Sequence, residues 1–403
     1  MNKKSYSNDI SLTLNSELVA DEIKVASTFS DYYRDSTDSL LVNSVPHPSM
    51  CYNERVKKNI YFYPIREAEV RTTINKLKEN SMHTSQIPTR LLKLIAPALA
   101  QVLTPIFNKC VELGVYPDLL KFGEIIPIHK KGDKRKVENY RPITILHPFS
   151  KIFEKIIHNR LVDYFNKFSI LSDRQFGFTA GRSIHHAVMS FQYDAYLADH
   201  SNLCFGAVFI DYSKAFDTIN HSILLYKLEH YGIRGNTLKL LESYLSNRRN
   251  CVRIKQTKSA PALYRHGVPQ GSALGPLLFN VFLNDIVSVI KDCNVILYAD
   301  DVVIYSSQSD LFQLELTLSA AFRECCRYSE TNYLFINALK TKSMLFNRAA
   351  KSSIKISYNS NAIEQVRTIK YLGITIDNKF TFRDHILEIV KKVNQSNRAI
   401  SFF

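Results

Sequence analysis

Two aspartates stand side by side at Asp300-Asp301, between the β-rich runs Val295-Ile296-Leu297-Tyr298 and Val302-Val303-Ile304-Tyr305. The runs leave almost no room for a loop, so the acids read as the tip of a hairpin. Carboxylates about 4 Å apart repel by about 4 kcal/mol at an effective dielectric of 20. A cation must offset that, unless the turn simply faces water, as Asp-containing turns commonly do. Asp211 adds weight to the first reading. It closes another apolar run, Phe205 to Asp211, and if the two runs are neighbouring strands, Asp211 and Asp300 converge. Hard carboxylate oxygens suit Mg²⁺, which binds a few carboxylates plus substrate phosphates, and a pair of such ions carries phosphoryl transfer.

The elements around these acids are mostly legible. With 403 residues, 45% of them hydrophobic, the chain is long enough for two or three packed units. Residues 1–60 are polar, a connector with one amphipathic helix around Leu18 to Tyr33 and an extended stretch past Pro46 and Pro48. Val70, Ile74 and Leu77 have helical spacing, and Leu91 to Leu113 predicts a buried helical lobe. A β-run at Gly123 to His129 leads into the basic turn Lys130 to Lys136, read either as a solvated loop or as a phosphate contact. Residues 150–167 predict a helix, as do Ser213 to Gly232, with Lys214 to Asp217 at its start, and Leu277 to Ile290. After the hairpin come a helix from Leu311 to Tyr328 and strands near Ser343 to Phe346, Ile354 to Tyr358 and Ile369 to Ile376. That order is α+β, a small antiparallel sheet with helices on one face.

Composition narrows the partner. A formal charge of +15 favours a polyanion, nucleic acid first and an anionic membrane second. No stretch reaches the roughly 18 apolar residues needed to span a bilayer, and Met1 to Ile10 has no apolar signal core, so an intracellular protein of nucleus or cytoplasm, not a secreted one, is expected. The 7 cysteines include no C-x-x-C pair, which gives neither a disulfide framework nor zinc spacing.

Six strings occur in one order: Tyr140-Arg141-Pro142-Ile143; Gln175-Phe176-Gly177-Phe178; Phe209 through Asp217; Gly267-Val268-Pro269-Gln270-Gly271-Ser272 with Gly275-Pro276; Tyr298-Ala299-Asp300-Asp301; and Tyr371-Leu372-Gly373. Together they resemble the reverse transcriptase of non-LTR, LINE-like retrotransposons of the Jockey type, over about residues 60–395. The resemblance implies a right-hand polymerase: fingers at 61–204 with part of 222–263, a palm at 205–376, and 377–403 as the start of a thumb that is largely missing. It implies RNA-directed DNA synthesis on an RNA template, from a DNA primer, with deoxynucleoside triphosphates and two Mg²⁺ ions, Mn²⁺ serving as a substitute.

The resemblance also implies roles. Asp211 and Asp300 are the principal metal ligands, Asp301 a neighbouring acid, and the Tyr212 backbone carbonyl completes the site. Lys130 or Lys131, with Arg141, grips the triphosphate. Phe216 stands where the family sets a ring against the incoming sugar, although a helical Phe can equally pack a core; Asp217 orients neighbours or caps the helix. Gln270 and Gly271 contact the nascent pair. Lys340, in Asn337 to Thr341, would donate a proton to pyrophosphate, and Tyr371, Leu372 and Gly373 would grip the primer or form only a β-turn. The chain departs from the family at Ser81 to Gln86 and at Ile184. Its expected activity competes with two alternatives, a catalytically impaired RNA-binding remnant and an RNA-dependent RNA polymerase.

Overall fold

Strand Cys204–Ile210 (CFGAVFI) is buried at every position but its first, the mark of a strand covered on both faces rather than one. The computed structural model describes residues 10–14, 16–41, 50–79, 87–349, 351–359 and 361–400; Pro46, Pro48 and the Ser81 to Gln86 departure lie outside the described residues. Two compact units divide the chain: Met1–Leu171 with Lys214–Phe282, and Ser172–Ser213 with Leu283–Phe403.

In the second unit, Cys204–Ile210 is central to a five-stranded sheet, flanked by Asp301–Gln308 and Lys342–Phe346, both antiparallel to it. Asn294–Tyr298 pairs beyond the first neighbour, and Glu364–Gln365 lies beyond the second, in parallel. Side chains alternate across the strand. Phe205, Ala207 and Phe209 meet Ala187, Val188, Phe191 and Ala195 of helix Ile184–His200. Gly206 faces the other way, where an added Cβ would meet Leu314 and Leu318 of helix Leu311–Thr331 within 3.2 Å. Helices therefore cover both faces, not one as the element order suggests, because the strand is an unbroken apolar run instead of an alternating one. Hairpin Thr368–Tyr371 with Ile374–Asp377 places Tyr371 and Ile376 in the same core as Phe191.

The first unit is built on a sheet in which Gly123–His129 joins Tyr140–Leu146, antiparallel, to Arg248–Ile254, parallel. Helix Glu22–Leu41 belongs to it. Val25, Ala26, Phe29 and Tyr33 of that helix share a core with Ile125, Tyr140, Val252 and Ile254, so the segment expected as a connector packs on the sheet. The lobe from Leu91 to Leu113 is buried on one side only: Ala100, Leu103 and Phe107 are inside, whereas Val102, Ile106 and Leu113 are exposed. Ser213 to Asn220 is not helical. The helix begins at His221, with Asn220 as its N-cap accepting from the Ile223 amide at 3.2 Å. Among the described residues no helix is long and apolar enough to cross a membrane, and no disulfide joins any of the 7 cysteines.

Candidate active site

The ladder between Cys204–Ile210 and Asp301–Gln308 ends with Ile210 opposite Val302. The next position on each strand is an acid, Asp211 on one and Asp301 on the other. Tyr298 pairs with Asp301, which leaves Ala299 and Asp300 as a two-residue turn. Ala299 has φ +54°, and a positive φ at the first central position alone is the type II′ pattern, where glycine is usual. Neighbouring chain holds this turn in place. Gln175 Oε1 accepts from the Ala299 amide at 3.0 Å and from the Gly177 amide at 2.7 Å. The Phe176 amide donates to the Leu297 carbonyl at 2.8 Å, and the Leu297 amide to the Arg174 carbonyl at 2.9 Å. The segment thus lies along the edge of the hairpin, close enough that a Cβ on Gly177 would meet the Ala299 nitrogen at 2.4 Å.

Asp211 is fixed through its backbone. Its amide donates to Thr341 Oγ1 at 3.3 Å and its carbonyl accepts from the Asn337 amide at 2.8 Å. Tyr212 follows, paired with Ile336, its buried hydroxyl 2.9 Å from Ser329 Oγ. The Asp211 carboxylate is left to do chemistry: its Oδ2 is out of solvent with no hydrogen bond, and Lys340 Nζ stands 3.5 Å away as an ion pair. That oxygen thus already faces one cation and has no hydrogen bond that a second would have to break, and its carboxylate chemistry suits Mg²⁺. Among the described residues no three His, Cys, Asp or Glu side chains form a ready metal cage, so a bound ion would need the Tyr212 carbonyl and substrate oxygens as well. Tyr371 is buried in the core below, and burial first, then the charge of Asp301, push its phenol up. Leu372 and Gly373, at φ +50° and +84°, make the turn of its hairpin.

Elsewhere, in the first unit, the Lys130 amide bonds to the Asn139 carbonyl at 2.8 Å, extending the hairpin ladder by one residue past His129–Tyr140. Since Ile128 opposes Arg141, the pleat sets Lys130 on the face of Arg141, whereas Lys131 lies past the ladder in the turn. Gln270 bonds at both ends: its carbonyl accepts from the Thr144 amide at 2.7 Å and its Nε2 donates to Asp217 Oδ1 at 2.9 Å. Gly271, at φ +119°, passes so close that a Cβ would meet the Thr144 oxygen at 2.5 Å. Phe216 stacks on Phe279 with ring centroids 4.3 Å apart. The turn carrying it is closed by the Asp217 and Thr218 amides on the Lys214 carbonyl, at 2.8 and 3.0 Å. Lys214 itself has φ +51°, costing about 1–2 kcal/mol for a side chain with a Cβ. Its ammonium lies 4.3 Å from the Tyr32 ring and donates to Ser36 Oγ; a cation–π contact of about 0.5–2 kcal/mol and a hydrogen bond of about 1 kcal/mol are enough to offset the strain.

A profile of the reverse transcriptase (RNA-dependent DNA polymerase) family matches residues 128–376, which include Asp211, Asp300 and Asp301. This chain belongs to that family. It is 31% identical over 357 residues to a probable RNA-directed DNA polymerase from transposon BS of Drosophila melanogaster, covering 82% of this chain and 38% of that protein. The RNA-directed DNA polymerase from mobile element jockey of the same species is 31% identical over 333 residues, 80% of this chain and 36% of that one. For the probable enzyme from transposon X-element the figures are 30% over 347 residues, 84% and 38%. The chain therefore spans less than two-fifths of the length of these relatives.

Two supports of this reverse transcriptase fold had no role in the sequence reading. Gln175 stands in a quoted motif, but its contact with Ala299 spans 124 residues and leaves no local signal. Glu154 is wholly buried, its Oε2 accepting from the Ala273 amide at 2.8 Å beside the Gln270-Gly271 turn. Truncation by Glu154→Ala strands that amide and Ser150, and is expected to cost about 3 kcal/mol, read as a lower Cm in urea. Burial lifts the Glu154 carboxyl above its ordinary 4.5, with Arg248 opposing. The folded chain then holds this proton more tightly than the unfolded one, so the residue's contribution is largest below that value and declines as pH rises through the raised one. Glu154→Gln cannot ionise. Its stability relative to wild type should improve as pH rises past the ordinary carboxylate range; a constant difference would contradict the shift.

Proposed function

We propose that this chain adds deoxynucleotides to a primer 3′-hydroxyl on an RNA template, as the reverse transcriptase activity of a non-LTR retrotransposon. What carries the reading is the register that sets Asp211 and the Tyr298–Asp301 turn at the same end of adjacent strands, together with an Asp211 Oδ2 that has no hydrogen bond and pairs only with the Lys340 ammonium. Membership of the family implies dependence on a divalent metal. Asp211, Asp300, Asp301 and the Tyr212 carbonyl would hold Mg²⁺, or Mn²⁺ in its place, which would acidify the primer hydroxyl and neutralise charge on the triphosphate.

The chain's own groups do the rest. Lys340, which is ion-paired with Asp211, would pass its proton to the departing pyrophosphate. Lys130, rather than Lys131, joins Arg141 in gripping the triphosphate, since the two share a face of their hairpin. Phe216 bars a 2′-hydroxyl, and Gln270 and Gly271 line the nascent pair. The Tyr371-Leu372-Gly373 turn grips the primer. In right-hand terms, residues 205–376 would form the palm, 61–204 with part of 222–263 the fingers, and helix Arg383–Ile400 part of a thumb.

The test is DNA primer extension on an RNA template with Mg²⁺ and deoxynucleotides. Product should form, and Phe216→Ala should raise ribonucleotide use by roughly tenfold or more, the scale of one lost steric contact. RNA binding with no extension in either Mg²⁺ or Mn²⁺ would favour the remnant instead.

A further inference from the structure

Helix Glu22–Leu41 has no part in the roles above, yet it reaches the segment that carries Phe216. We propose that Tyr32 of this helix, acting through Lys214, is a positioning residue for sugar discrimination; the proposal rests on Phe216 barring the 2′-hydroxyl. Tyr32 touches no reacting atom. It presents its ring 4.3 Å from the Lys214 ammonium, and Ser36, one turn along, accepts from that same nitrogen. Ser36 in turn donates to the Tyr32 carbonyl, which ties the two anchors together.

The grip acts on a strained residue. Lys214 is left-handed at φ +51°, a conformation a side chain with a Cβ leaves unless it is held. Its carbonyl closes the turn by accepting the Asp217 and Thr218 amides at 2.8 and 3.0 Å. Phe216 lies inside this turn, stacked on Phe279 at an interplanar angle of 14°, and its carbonyl accepts from the Val268 amide at 2.9 Å. Release of Lys214 therefore loosens the turn at one end while the Gly267-Val268 side stays bonded, which rotates the Phe216 ring rather than unfolding the unit. Helix Glu22–Leu41 is meanwhile held on the sheet by Val25, Ala26, Phe29 and Tyr33, so the loss of the Tyr32 ring leaves its seat intact.

The experiment is steady-state primer extension by the full chain with deoxynucleotides and with ribonucleotides, for wild type, Tyr32→Leu, Tyr32→Phe, Lys214→Met and Phe216→Ala. Tyr32→Leu and Lys214→Met should each lower the ratio of deoxy- to ribonucleotide kcat/KM by roughly five- to tenfold, and Tyr32→Phe, which keeps the ring, should match wild type. A merely structural role would lower both efficiencies together and leave the ratio alone. If Phe216→Ala changes the ratio while Tyr32→Leu and Lys214→Met do not, the positioning role is overturned and Phe216 keeps its own. If Phe216→Ala leaves the ratio unchanged as well, both fall.

Discussion

Asp211→Asn is expected to reduce primer extension by roughly 10³-fold or more, about 4 kcal/mol of transition-state stabilisation. Asparagine keeps the shape of the side chain, and the backbone bonds of residue 211 to Thr341 and Asn337 do not involve the carboxylate. What disappears is the charge on an oxygen that has no hydrogen bond and only Lys340, at 3.5 Å, for a cation. Stability should hold, because the ion pair lost with Lys340 is partly exposed on both sides, and such pairs contribute only about 0–1 kcal/mol. Loss of activity with an unchanged Cm is the expected pair of results. Activity of the Asp211→Asn enzyme within tenfold of wild type would remove Asp211 from the reaction.

Gly177→Ala is expected to lower kcat by roughly 100-fold, the cost of displacing reacting groups by about 1 Å. The new methyl would sit 2.4 Å from the Ala299 nitrogen and 2.9 Å from the Tyr298 carbonyl carbon, both backbone atoms that cannot rotate aside. The hairpin must move, and with it Asp300 and Asp301. The motion would also pull Ala299 from Gln175 Oε1, which at 3.0 Å steadies a residue at positive φ. Binding of primer and template should be little altered, so kcat rather than affinity carries the loss; wild-type kcat would show that the segment beside the hairpin does not position it.

The paired strands that carry the acids were legible because apolar runs ending in aspartates have no other easy reading, and strand Gly123–His129 has the bounds expected of it. Other strands were hidden by their composition. Tyr140–Leu146 contains Pro142, which is tolerated where it opposes Pro127, and Arg248–Ile254 is rich in arginine. Lys214 to Asp217 looked helical since Ile219, Ile223 and Leu228 share a period, but a left-handed Lys214 and the Asn220 cap delay the helix to His221. Periodicity reports a face, not a start. The hold of Gln175 on the hairpin and of Tyr32 on Lys214 spans well over a hundred residues in each case, and such pairings are set by packing that a local reading does not contain. Around the acids, then, residue types announced the chemistry, whereas the parts that aim them emerge only once the chain is folded.

The measurement that bears most directly on the central claim is extension of an oligo(dT) primer on poly(rA) with Mg²⁺ by the full chain, wild type beside Asp300→Ala. Wild type should incorporate deoxythymidylate and Asp300→Ala should not, with both proteins equally folded. Equal incorporation by the two would contradict the assignment of this hairpin as the catalytic site.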